Sequence, residues 1–117
     1  MNKWMFSEPV YHMLVLNHAR QAPLKGTAGE IDYVPVAKLF NPTGAGTWLI
    51  SELDPETGIA FGLCDLGQPE LGYISMDELE EFKGLAGIGI EQDIHWEGRM
   101  PLSHYAREGA RLGYVKA

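Results

Sequence analysis

The sequence predicts an α+β domain in which a mainly antiparallel sheet of four to five strands carries two to three packed helices. Three observations predict it. Residues 47–75, TWLISELDPETGIAFGLCDLGQPELGYIS, read as three consecutive strands parted by two tight turns, a meander. Two stretches outside it carry helix-start signals, Ser7 ahead of Glu8 and Pro9, and Ser75 with Glu78 three residues on. The chain as a whole, 117 residues with 45% hydrophobic and 21% charged side chains, has the make-up of one globular domain over 1–117.

Taken in order, residues 1–6 include Trp4, Met5 and Phe6, more apolar than a free tail, and are expected to dock on the body of the domain. A helix over about 8–20 follows, with Ser7 as N-cap, Glu8 near the positive helix end and Arg20 near the negative one. Val10, Met13, Leu14 and Leu16 form its expected sheet-facing side. Residues 21–32 contain Pro23, Gly26 and Gly29 without periodicity and read as a mobile surface loop. Residues 33–40 read as a strand, but Pro35 lacks an N–H and places that strand at an edge or delays its entry into the sheet.

After a turn at 41–46, the β-formers of 47–53 make a strand, and Asp54, Pro55, Glu56, Thr57 and Gly58 reverse the chain. The next strand, 59–66, sets bulky Ile59, Phe61 and Leu63 against small Ala60, Gly62 and Cys64, so something is expected to pack closely on the small side. Gly67, Gln68 and Pro69 turn the chain into a strand over 71–74. From Ser75 a helix exposes Asp77, Glu78, Glu80 and Glu81 opposite Met76, Leu79 and Phe82, and ends at Gly84. Gly84, Gly87 and Gly89 do not stand in the dinucleotide-binding arrangement and read as a connector. Residues 90–96 alternate as a strand, and Ser103 caps a last helix through Arg111, between Pro101 and Gly113.

Several ordered blocks, VPVAKLFNP, TWLISELDPE, AFGLCDLGQPELGYIS, IEQDIHW and PLSHYA, are similar to those of a small uncharacterised bacterial family, the domain of unknown function 2958. The resemblance runs over about 17–107, with a turn at Gly67, Gln68 and Pro69 shorter than the family's usual glycine-rich loop. It implies a single-domain protein often encoded on plasmids and mobile elements, near anti-restriction and transfer genes. It carries over no catalytic set and no cofactor.

Charge is unevenly placed. Residues 47–97 hold twelve acids against one base, Lys83, so that segment is −11 within a chain of −7. Such a balance opposes direct binding to nucleic acid, which needs clustered Lys and Arg. A lone cysteine, Cys64, permits no intrachain disulfide and fits a reducing cytoplasm, and no apolar run is long enough to span a membrane.

Cys64 beside Asp65, with His12, His18, His95 or His104 as base, is weighed as a nucleophile against the commoner small buried strand residue. Glu91, Asp93 and His95 are weighed as metal ligands against an exposed polar strand face, which is favoured. Carboxylate pairs such as Glu52 with Asp54, or Asp65 with Glu70, suit acid and base work only in a cleft that nothing in the sequence predicts. The expectation is therefore no enzyme, no cofactor and no metal. The leading candidates for partner binding are Glu52, Asp54, Glu56, Asp77, Glu78, Glu80 and Glu81, whose field would steer association with a basic surface of a protein or nucleoprotein complex. Solubility is the plainer explanation of such acids. The resemblance favours an inhibitor of a nucleic-acid defence complex, of anti-CRISPR or anti-restriction type, with a transfer-associated interaction module next and a small hydrolase-like enzyme third. Oligomeric state, including a homodimer, stays open.

Overall fold

The computed structural model describes residues 2–117. Its elements are α1 (Glu8–Gln21), β1 (Ala37–Phe40), β2 (Thr47–Asp54), β3 (Ile59–Asp65), β4 (Pro69–Ser75), α2 (Met76–Glu81), β5 (Glu91–Gln92) and α3 (Leu102–Leu112), with single 3-10 turns at Ala22–Leu24 and Leu85–Gly87. The strands form one antiparallel sheet in the order β4-β3-β2-β1-β5, the α+β architecture read from the sequence. The meander is present, and each of its strands lies beside its neighbour in the chain.

One extra residue decides which side chains face which way. On β2 the register with β3 runs Ile50 opposite Gly62 and then Glu52 opposite Phe61, so Ser51 is a bulge. Bulges add one residue to one strand and reverse its alternation beyond that point. Trp48, Ile50 and Leu53 consequently join one core with Ala60, Ile74 and Leu14 of α1. On the opposite face Leu49 and Leu63 pack with Leu102 and Tyr105 of α3. Glu52, opposite Phe61, is turned to that second face and away from the first core. Gly62 sits beside the bulge with no room to spare, because a Cβ there would fall 2.1 Å from the Leu49 carbonyl oxygen.

Several expectations are corrected. On α1, Met13 and Leu16 are exposed, and the buried positions are Leu14, Asn17 and Gln21. The inward stripe turns polar because the bulge offers hydrogen-bonding groups: Asn17 Nδ2 donates to the Ser51 carbonyl at 2.9 Å. Ser7 is extended but makes no side-chain cap; its backbone N–H donates to Gln92 Oε1 at 2.7 Å. Of the two alternatives for the strand foreseen over 33–40, late entry holds, the strand starting at Ala37, and the edge position does not, since β5 covers its far side. The strand foreseen over 90–96 stops after Gln92, because Asp93 Oδ1 accepts the His95 N–H at 3.2 Å and its carbonyl accepts the Trp96 N–H. Pro101, not Ser103, is the N-cap of α3; the Ser103 backbone and hydroxyl both donate to Asp32.

Other expectations hold. Trp4 and Phe6 are buried in the larger core. The Ser75 hydroxyl accepts the Glu78 N–H at 3.3 Å, and Gly113 closes α3 in the left-handed region at φ 85°.

Candidate functional site

The seven acids singled out above fall into two environments. The β2–β3 turn and the start of α2 lie together at one end of the sheet, joined by a 2.9 Å bond from the Met76 N–H to the Gly58 carbonyl. In that turn Asp54 Oδ1 accepts the Glu56 N–H at 2.9 Å. This bond, with smaller help from Thr57 and from His18, whose Nε2 stands 3.8 Å from Oδ2, holds the Asp54 carboxyl below its ordinary range. Asp77 is bound as well, accepting the Trp4 indole N–H at 2.8 Å.

Glu56, Glu78, Glu80 and Glu81 are exposed, and among the described residues no Lys, Arg or His nitrogen comes within 4.0 Å of them. Asp77 and Glu78 suit the positive first turn of α2, whereas Glu80 and Glu81 sit at the other end of a six-residue helix, where the helix dipole disfavours carboxylates. Helix stability therefore does not account for the second pair. Directly after them come exposed Phe82, Leu85 and Ile88, with Leu85 presented at 77% exposure on a loop pinned by the Gly84 N–H to the Ile88 carbonyl at 2.8 Å.

Glu52 does not belong to this surface. At 4% exposure it cannot meet a partner as an outward acid, which corrects its place among the candidate contacts. Its Oε2 accepts the Gln21 Nε2 at 3.4 Å and its Oε1 lies 3.7 Å from Lys25 Nζ. Gln21 is itself fixed by a two-way exchange with the Ile31 backbone, at 2.7 and 2.9 Å. The Tyr33 hydroxyl donates to the Asn17 carbonyl at 2.9 Å, and burial, with the Glu52 charge, pushes its pKa up. Two adjoining clefts, about 350 and 230 Å³, share Lys25, Glu52 and Phe61 in their walls. A carboxylate in the apolar run TWLISEL was the one available signal for this cleft; Gln21, Lys25, Tyr33 and Tyr73 gave none.

Elsewhere the candidates separate. Burial pushes the Cys64 thiol up, against a smaller opposing effect of Trp48, and its neighbours Asp65 and Glu70 push the same way; this favours the thiol over the nucleophilic thiolate. Asp65 is used structurally: its carboxylate accepts the Gly67 and Val115 N–H groups, each at 2.9 Å. Among the described residues no three His, Cys, Asp or Glu side chains gather in a way that could hold a metal ion, Glu91, Asp93 and His95 included. No helix among them is long and apolar enough to cross a membrane.

The family whose members are described as "Protein of unknown function (DUF2958)" matches residues 7–116, nearly the whole chain and more than the resemblance alone covered. The protein belongs to that family. No curated protein and no solved structure matches it.

Proposed function

We propose that the protein is a non-catalytic binder of a basic protein surface, acting in the cytoplasm as a mobile-element inhibitor of a nucleic-acid defence complex of the anti-CRISPR or anti-restriction type. The observation that carries the binding half is the run from Glu78 to Ile88: solvated carboxylates with no Lys, Arg or His nitrogen within 4.0 Å among the described residues, two of them at the wrong end of a helix, followed by exposed Phe82, Leu85 and Ile88, with Lys83 the one base in the run. Apolar anchors ringed by charge are what protein interfaces use, the charge for encounter and the anchors for holding. Asp54, Glu56 and Asp77 extend the same field, the first and third with their geometry already fixed. The anti-defence half is supported by the family resemblance alone.

The test is Glu80→Lys with Glu81→Lys, compared with the wild type for capture of a host complex across a salt series and for protection of an incoming plasmid. The variant loses on the order of tenfold or more in affinity, and its protection, with an unchanged melting temperature. Full protection by a folded variant refutes the proposal.

A further inference from the structure

The cleft at Glu52 shows its own chemistry through the group that sits in it. Lys25 Nζ lies 4.3 Å from the centroid of the Phe61 ring and 5.3 Å from that of Tyr73, and the two rings meet edge to face at 5.3 Å. The same ammonium is 3.7 Å from Glu52 Oε1 and 3.8 Å from Glu30. Aromatic faces and a carboxylate around one ammonium are how cationic head groups are recognised.

Lys25 fills this box incompletely. An ionised carboxylate has about four acceptor positions, yet among the described residues the buried Glu52 side chain accepts a single hydrogen bond, the 3.4 Å one from Gln21. An open cleft of about 350 Å³ continues from the box toward Asp54 and His18. Lys25 enters from a surface loop, its side chain 31% exposed, and precedes Gly26, which has φ 76° and nothing within 4 Å of where a Cβ would stand.

We propose that Phe61, Tyr73 and Glu52 form a receptor for a primary alkylammonium group, and that Lys25 is a tethered internal competitor for it. The cleft contains no residue of α2 and shares only Asp54 with the acidic surface, a residue the variants below leave in place, so the proposal stands or falls apart from the one above. A tethered competitor acts at a local concentration in the millimolar range, so shortening it exposes the affinity of the box.

The experiment titrates n-butylammonium chloride into the wild type and Lys25→Ala at constant ionic strength, with sodium chloride as control, and follows the Phe61 and Tyr73 ring resonances by NMR. Lys25→Ala saturates at a concentration lower by about tenfold or more, and adding Glu52→Gln abolishes the response. Lys25→Gln serves as a second shortened variant should Lys25→Ala not fold. A short peptide with one lysine, run alongside, identifies the source of the group: saturation by both means a protein side chain is admitted, and saturation by the free amine alone means a small amine. Equal response of wild type and both Lys25 variants, unmoved ring signals, or retained binding in Glu52→Gln overturns the proposal.

Discussion

Glu52 and Glu80 are the same residue on the same domain, and the fold treats them as opposites. Glu52 is dehydrated, held beside Gln21 and Lys25, and reached through a cleft. Glu80 is solvated at the end of a short helix, with no Lys, Arg or His nitrogen within 4.0 Å among the described residues. A buried carboxylate must be partnered or it opposes folding, whereas an exposed one adds little to stability and acts at a distance. Counting acids along a sequence therefore measures a field only after the buried ones are taken out.

The strongest way to break the contrast is to erase the cleft. Gly62→Ala forces β2 and β3 apart beside the bulge, because the added carbon would overlap the Leu49 carbonyl, and should cost about 3 kcal/mol or more. Denaturant unfolding measures it, and a loss below half that value would mean the strands yield easily. Next comes removal of the buried acid itself. Glu52→Ala leaves Gln21 and Lys25 short of a partner and should cost about 2 kcal/mol, while Glu80→Ala with Glu81→Ala should stay within about 0.5 kcal/mol. Equal losses at the two sites would erase the distinction between them.

The smallest effect concerns pH. The Asp54 carboxyl is held below its ordinary value by the Glu56 N–H, so the native state binds this proton less readily than the unfolded chain. Its contribution to stability is complete above the ordinary Asp pKa of about 4 and is lost as pH falls through the lower native value. Asp54→Asn keeps an oxygen for the turn but removes the charge. A shallower loss of stability on acidification, read from melting curves, is the expected outcome.

The meander, the two longer helices and the Ser75 cap were legible because each is written locally, in alternation, in turn residues or in a three-residue spacing. The misread features depend on residues far apart in the chain. Met13 and Leu16 suit a buried helical face by pattern, yet Asn17 and Gln21 take that place because a carbonyl at Ser51 needs a donor and the backbone at Ile31 needs both a donor and an acceptor. β5 ends early because the Asp93 side chain competes for the local N–H that a strand would have left free. Of the candidate site, the acids on α2 could be placed from the helix pattern. The Glu52 cleft could not, since its walls come from positions 18 to 73 and a one-residue irregularity has no signature in composition.

That irregularity sets a parity along the strand. Were Ser51 paired in regular alternation instead of bulged, Glu52 would fall opposite Ala60, where Leu53 now enters the larger core, and the leucine would turn out toward α3; the bulge is what keeps the carboxylate out of that core.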